Sequence, residues 1–281
     1  MADKERIGIV GTGRMGQAMT RHLISHGHAV TAQDIDAKAQ QAARTVGADV
    51  VTTPAQVGQA CRFVIIAVGY DDEAAAVMLD RNGLLETMGA GSVIGVSSTC
   101  TPEHVKMLAE RAQARGVELL DSPICRGQRA ADEGTMLTLC GGRREVFERA
   151  RPIYGTFCKD IAHLGEVGAG QVGKAMNNFL LWVNGIALIE AGRLCEAYGM
   201  DLVQLRGALL MSSGASDALK NWENVSFLWA LKDMQIVSKM ADKAGLAMPV
   251  AGAIKELVKD GRRIKQSNPP DWTGMGSRAK Q

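Results

Sequence analysis

The sequence predicts an α/β fold, a doubly wound parallel sheet followed by an all-helical domain, and three observations carry that expectation. Short apolar runs alternate with helical patterns through the first half of the 281 residues, the βαβ alternation of a doubly wound sheet. One of these runs, Phe63 to Val68, is unbroken, as in a parallel strand buried on both faces. Beyond Gly165 the strand pattern stops and only helical patterns remain.

The first element is an apolar strand (Ile7, Ile9, Val10) leading into Gly11-Thr12-Gly13-Arg14-Met15-Gly16, then a helical run from Gln17 to His26, then a strand from Ala29 to Ala32 ending at Asp34. Each part suits a dinucleotide. Gly11 permits the tight strand-to-helix turn, Gly13 lets the backbone approach a pyrophosphate, and Gly16 allows close helix–strand packing. The helix N-terminus presents free N–H groups and a positive dipole end to phosphates, so Arg14 and Met15 in the glycine motif are also expected at the cofactor. Asp34 follows Gly16 by 18 residues, where an acid meets the ribose hydroxyls. The expectation is a Rossmann-type domain. An acid at 34 followed by Ile35 rather than an arginine favours NAD over NADP, with Lys38 the one nearby cation, because the carboxylate would repel a 2′-phosphate.

The remaining elements of the first half follow in order. A helix is expected over Ala37–Val46 and strands at 49–51 and Ser92–Val96, with a helix opened by Thr101-Pro102-Glu103, where proline suits the first turn. A strand at Val117–Leu120, a loop over Ser122–Gly134, and strands at Met136–Cys140 and Ile161–Leu164 complete the half. Ligands of open parallel sheets sit at the carboxyl ends of strands. Val68 and Gly69 after one strand, and Ser97-Ser98-Thr99 after the next, therefore border the expected cofactor. The three hydroxyls can equally be helix caps before Pro102.

The stretch Gly165-Glu166-Val167-Gly168-Ala169-Gly170 marks the expected domain boundary, giving a dinucleotide-binding domain over 1–165 and a helical substrate and oligomerisation domain over 166–281. A long helix is expected from Gln171 to Tyr198, with Gly199 just past its end. Further helices are expected around Leu202–Met211, Ala215–Trp222, Leu228–Ala244 and Val250–Lys259, then a loosely ordered tail from Gln266. The long helix is apolar around much of its circumference, which suggests burial against a partner subunit in a homodimer or homotetramer.

Composition narrows the function classes. Lys plus Arg is 32 and Asp plus Glu is 30, a balance that makes no case for nucleic acid; Lys259, Arg262, Arg263 and Lys265 read as a solvated helix terminus. No apolar run reaches the length of a membrane span, and the charged start, Met1 to Arg6, does not read as a signal peptide. The six cysteines and five histidines show no metal-ligand spacing, so free thiols in a reducing cytoplasm and no metal are expected.

Lys174 and Asn178 are four apart on the long helix and share a face, with Asn177 beside them. The ordinary reading is an exposed lysine on a surface helix. Its apolar neighbours Val172, Phe179, Leu180 and Leu181 and its place next to the boundary point instead to a lysine at a cleft, able to serve as acid or base.

With these motifs assembled, the chain resembles the β-hydroxyacid dehydrogenase family, the 3-hydroxyisobutyrate dehydrogenase-like enzymes related to 6-phosphogluconate dehydrogenase. The likeness runs through Gly8 to Gly16, through Val96-Ser97-Ser98-Thr99 with Pro102, through Gly165 to Lys174 with Asn177-Asn178, and through Lys232-Asp233. The resemblance implies hydride exchange between a nicotinamide cofactor and a β-hydroxyacid or the matching aldehyde or keto acid. Lys174 would be the general acid/base, Asn178 and Ser98 would meet the substrate, and Thr99 and Lys232 would lie at the cofactor. Two departures stand out. Val96 replaces an acid, and the family's substrate-binding Ser-Gly-Gly is Cys125-Arg126-Gly127 here, after Asp121-Ser122-Pro123.

A thiol donates more weakly than a hydroxyl, so Arg126 is the residue expected to hold a substrate carboxylate; the alternative is that it points to solvent or pairs with Asp132 or Glu133. Trp182, on the face of Lys174, is either a pocket wall or core. Other readings within the fold are an imine reductase, against which Lys174 weighs, and a decarboxylating relative. Outside it stand a non-catalytic dinucleotide-sensing protein and a methyltransferase, the latter having no need of this helical half.

Overall fold

The computed structural model describes residues 4–274, and the chain falls into two compact units, Met1–Lys174 and Ala175–Gln281. The first unit is built by β1 (Ile7–Val10), α1 (Arg14–Ser25), β2 (Val30–Gln33), α2 (Ala37–Thr45), β3 (Asp49–Val50), α3 (Pro54–Ala60), β4 (Phe63–Ile66), α4 (Asp71–Leu79), β5 (Val93–Val96), α5 (Pro102–Gln113) and β6 (Glu118–Asp121). These six strands are parallel in the order β3-β2-β1-β4-β5-β6. The order reverses between β1 and β4, so a crevice for a ligand opens at their carboxyl ends.

The apolar runs explain this sheet. Ile7, Ile9, Phe63 and Ile65 enter one core cluster, while Val10, Val64, Ile66, Ile94 and Val96 enter another on the opposite face. Alternate side chains of a strand point to opposite faces, and here both faces are covered by helices. Helix starts follow local chemistry too: Thr53 and Gln56 close a capping box behind Pro54, satisfying two N–H groups that the helix cannot. The helices α3 and α4, and a later one at Arg144–Tyr154, are additions to the expected set; α4 has Ala74-Ala75-Ala76 at its centre and so little amphipathic contrast.

The expected loop over Ser122–Gly134 is corrected: it contains β7 (Ile124–Cys125) and α6 (Gly127–Glu133). After it come β8 (Met136–Gly141), α7 (Arg144–Tyr154) and β9 (Cys158–Gly165). The sheet is therefore parallel-dominated rather than wholly parallel. β8 runs antiparallel to β6 and β7, and β9 is parallel to β8. Short connections join antiparallel strands, whereas the α7 crossover returns the chain in the same direction.

The second unit takes up α8 (Ala169–Ala197), which begins in the first unit and is continuous through the division, then α9 (Leu202–Leu209), α10 (Asp217–Lys220), a short 3-10 turn (Trp222–Asn224), α11 (Ala230–Ala244) and α12 (Pro249–Ser267). Among the described residues no strand follows β9. Gly199, at φ 71°, ends α8 in the left-handed conformation that glycine adopts freely. The core holds Trp182, Ile186, Trp222, Phe227, Met234, Val237, Ile254 and Trp272.

Two expectations about the chain's last quarter are corrected. Up to residue 274 the tail is not loose: α12 runs to Ser267, and Trp272 is fully buried with its indole N–H donating to the Leu188 carbonyl at 3.0 Å. Pro270 lies over Gly192, where an added Cβ would stand 2.3 Å from the proline Cβ. Lys265 is not simply solvated either. Its ammonium sits 3.7 Å from the Trp222 ring centroid and donates to the Trp222 carbonyl. Burial lowers its pKa to about 8, and the cation–π contact offsets part of that desolvation. The rest of the expected tail, 275–281, lies outside the described residues. Trp272→Ala should destabilise the helical unit by about 3–5 kcal/mol, the range for truncating a buried aromatic, read as a lower midpoint in urea unfolding followed by circular dichroism.

Candidate functional site

The carboxyl ends of β1, β4, β5 and β6 gather four loops. After β1, Gly11 sits at φ 90°, and a Cβ there would stand 2.6 Å from the Ala67 carbonyl oxygen; a Cβ on Gly16 would lie 2.0 Å from the Gly11 carbonyl oxygen. Gly13 differs, since a Cβ there would meet nothing within 4 Å. It caps α1 without a side-chain hydrogen bond, so the N-cap residue itself offers the first-turn N–H groups around Arg14 and Met15 no side-chain acceptor. Open space over an uncapped helix start fits a dinucleotide pyrophosphate. Asp34 closes this loop from β2: one carboxylate oxygen accepts from the Thr12 backbone at 2.6 Å and the other from the Asp36 backbone at 2.9 Å. Ile35 beside it is 94% exposed, so no side chain covers the carboxylate from there.

The loops after β4 and β5 are bolted together. Val68 N–H donates to Ser98 Oγ at 2.9 Å, and Thr101 Oγ1–H donates to Asp71 at 3.0 Å. Glu73 accepts from the backbone of Gly69 and Tyr70. The cap reading for Ser97, Ser98 and Thr99 is thereby corrected: α5 begins after Thr101, without a side-chain cap bond. Ser98 accepts from Val68, leaving its own proton to donate. Ser97 and Ser122 both meet the buried Tyr154 hydroxyl, at 3.2 and 2.6 Å, and burial pushes that hydroxyl's pKa up. Gly95 makes the room, since a Cβ there would sit 2.3 Å from the same oxygen.

In the loop after β6 the two substituted positions are occupied by internal contacts. Cys125 is 2% exposed. Arg126 takes φ 82°, followed by Gly127 at φ 68°, a left-handed conformation costly for an arginine. Its guanidinium pairs with Asp160 at 2.6 Å and donates to the Thr135 carbonyl at 3.0 Å. The alternative partners Asp132 and Glu133 are instead held by Arg21 and Arg129.

The fourth element is the start of α8. Asp121, fully buried at the end of β6, accepts from the backbone N–H of Gly168 and of Gln171, each at 3.0 Å. Its other oxygen is buried without a hydrogen-bond partner. Burial raises the Asp121 pKa to about 6, against the lowering effect of those hydrogen bonds. Gln171 bridges to the β5 loop, donating to the Ser98 carbonyl and accepting from Cys100 N–H, both at 2.9 Å. One turn on stands Lys174, whose amine has no hydrogen-bond or ion-pair partner among the described residues. Asn178, 5% exposed, shares its face and accepts from Asn177 at 3.1 Å. Gln171 and Tyr154 are the contributors that sequence reasoning missed. Gln171 lies at i−3 from Lys174 and carried a readable signal, whereas the long-range reach of Tyr154 carried none.

In the second unit, Trp182 is core rather than pocket wall: its indole donates to Asp233 at 2.9 Å and its ring lies against Phe227. Lys232 stands over the Trp229 ring at 5.8 Å.

A glycine-turned crevice at the switch point, followed by a helix carrying lysine and asparagine, defines a dinucleotide-binding oxidoreductase fold. Residues 6–179 match the NAD binding domain of 6-phosphogluconate dehydrogenase, and 168–272 match the family described as NAD-binding of NADP-dependent 3-hydroxyisobutyrate dehydrogenase. The chain belongs to the β-hydroxyacid dehydrogenase family. It is 32% identical over 214 residues to the mitochondrial 3-hydroxyisobutyrate dehydrogenase of Bos taurus, covering 76% of this chain and 64% of that protein. It is 33% identical to the 3-hydroxyisobutyrate dehydrogenase of Pseudomonas aeruginosa, covering 76% and 72% respectively. The solved Mycobacterium tuberculosis 3-hydroxyisobutyrate dehydrogenase with L-serine shares the fold at a TM-score of 0.85 and 22% identity, over 99% of each chain. No helix among the described residues is long and apolar enough to cross a membrane.

The glycines separate binding from folding. Gly13→Ala, meeting open space, should change stability by no more than about 0.5 kcal/mol yet weaken NADH binding in a fluorescence titration. Gly16→Ala collides with backbone and should cost roughly 1–3 kcal/mol as an overpacked site, visible as a lowered melting temperature.

Proposed function

We propose that this chain is an NAD-dependent dehydrogenase that oxidises a β-hydroxyacid, or reduces the matching aldehyde or keto acid, with Lys174 as general acid/base. The observation that carries the reading is the Lys174 amine, unpaired among the described residues, on the same helical face as the buried Gln171 and Asn178 and one turn beyond a helix start bound to two of the crevice loops. Bound NAD would supply the hydride acceptor. Gly11, Gly13, Arg14, Met15 and Gly16 would cradle the pyrophosphate, Asp34 the ribose, and Val68, Gly69, Thr99 and Lys232 the remainder of the dinucleotide.

The chain's own groups handle the proton and the acid. Hydride departure requires the substrate hydroxyl to lose its proton, which a neutral lysine amine accepts and its ammonium returns in the reverse direction. Ser98 and Asn178 would orient the substrate. Gly127 would let the substrate's carboxylate approach the backbone beside Cys125, and Arg126 would take that carboxylate by exchanging it for Asp160. The substrate is a small acid, with 3-hydroxyisobutyrate and L-serine the first candidates because relatives carry those names. The helical unit exposes Leu180, Leu194, Tyr198, Met211 and Trp229, which supports a homodimer or homotetramer; the compartment would be the cytoplasm. An imine reductase is disfavoured by Lys174, and a non-catalytic dinucleotide sensor would have no use for a lysine–asparagine face.

Screening hydroxyacids for NADH formation tests the reading. Lys174→Ala should lose about a hundredfold or more in turnover with NADH binding intact. Lys174→Arg should not rescue, because guanidinium stays protonated. Near-normal turnover by Lys174→Ala would overturn the mechanism. The wild-type protein should prefer NAD to NADP in kcat/KM, and a clear preference for NADP would overturn the role given to Asp34.

A further inference from the structure

A buried carboxylate and a buried amide hold the beginning of α8, and the reaction outlined above uses neither. A helix start leaves backbone N–H groups without intrahelical partners, and Asp121 takes two of them, Gly168 and Gln171, on one oxygen. Gly170 lies so close that a Cβ would stand 2.9 Å from that oxygen and 2.5 Å from the Leu139 carbonyl. The Gln171 side chain then grips the β5 loop at Ser98 and Cys100, on either side of Thr99. Asp121 itself leads directly into the segment carrying Cys125, Arg126 and Gly127. One helical turn therefore ties together the loops after β5 and β6.

We propose that Asp121 and Gln171 are positioning residues for the reaction, fixing the first turn of α8 on the carboxyl edge of the sheet and so setting where Lys174 stands relative to the loops after β5 and β6. The proposal rests on the proton-transfer reading of Lys174.

The cost of Asp121 to the fold supports the assignment. One of its oxygens is buried without a hydrogen-bond partner, and its pKa is raised to about 6 by burial. A carboxyl whose folded pKa lies above its unfolded value is disfavoured as an anion in the folded protein, so its contribution to stability declines as pH rises from about 4 to about 6. The titratable groups around it do not reverse this. Cys140 on β8 interacts with it electrostatically, Lys106 on α5 packs against Gly168, and Tyr154 on α7 binds the adjoining Ser122. The carboxylate's place is at the helix start, where it accepts two backbone N–H groups and complements the dipole.

The test compares Asp121→Asn, Gln171→Met and Lys174→Ala by amide hydrogen exchange across 166–178 without ligand, by NADH affinity, and by NAD-linked turnover of 3-hydroxyisobutyrate and L-serine between pH 5 and 9. Asp121→Asn should hold or raise the melting temperature at pH 8, speed exchange in the first turn of α8, and lower kcat by about ten- to a hundredfold, the scale of a small misplacement, while the KM for NAD stays put. It should also remove an acid-side inflection near pH 6 that Gln171→Met, equally slow, retains. Unchanged exchange with kcat within twofold of wild type would overturn the proposal, and so would faster exchange without any loss of turnover. If Asp121→Asn does not fold, the same readouts on Gln171→Met decide. If neither acid is turned over, exchange decides alone. Full turnover by Lys174→Ala would remove the lysine reading while leaving the exchange result to judge the clamp, so the two failures are distinguishable.

Discussion

Burial of the parallel sheet on both faces is the constraint from which the site follows. Once Phe63 and Ile65 face one helical layer and Val64 and Ile66 the other, polar ligands have access only at the strand ends. Because β1 to β6 run in one direction, their loops converge at one edge. The chemistry-bearing residues at 11–16, 34, 68–69, 97–101 and 121–127 are neighbours there for that reason, despite long separations in sequence.

These loops are held by polar side chains rather than by packing. Ser98 fixes Val68, Asp71 fixes Thr101, Asp34 fixes Thr12, and Gln171 fixes both neighbours of Thr99. Each bond crosses from one element of the edge to another, so the edge behaves as a linked set. Such networks are worth most when fully satisfied, and the one oxygen of Asp121 left without a hydrogen bond is the exception in this set. Preorganisation of this kind spares a bound ligand the cost of ordering the loops itself.

Much of this was legible in the sequence. Glycines at 11, 13 and 16, the unbroken apolar run from Phe63 and the lysine–asparagine spacing report periodicity and local turn chemistry, which neighbours in sequence determine. The strand over β8 was legible too, but its antiparallel direction, the short strand β7 and the helix α6 were not, because strand direction and a segment this short carry no period of their own. Arg126 shows the limit most plainly. Its chemistry suited a carboxylate, but the carboxylate it meets belongs to Asp160 on β9, and no local pattern encodes a contact between residues so far apart in sequence. Trp182 and Trp272 make the same point: a tryptophan announces burial or a site with one letter, and only tertiary packing decides.

The crossing of Pro270 over Gly192 bears on how the helical unit assembles. Helical units commonly fold fast because their contacts are local. This one also brings Trp272 to the carbonyl of Leu188, 84 residues earlier, a contact that carries the entropic cost of closing a long loop. The α/β unit, emerging first in synthesis, can complete its sheet while the helical core still waits for that distant tryptophan. A helix bundle closed in this way adds one distant contact to its local ones.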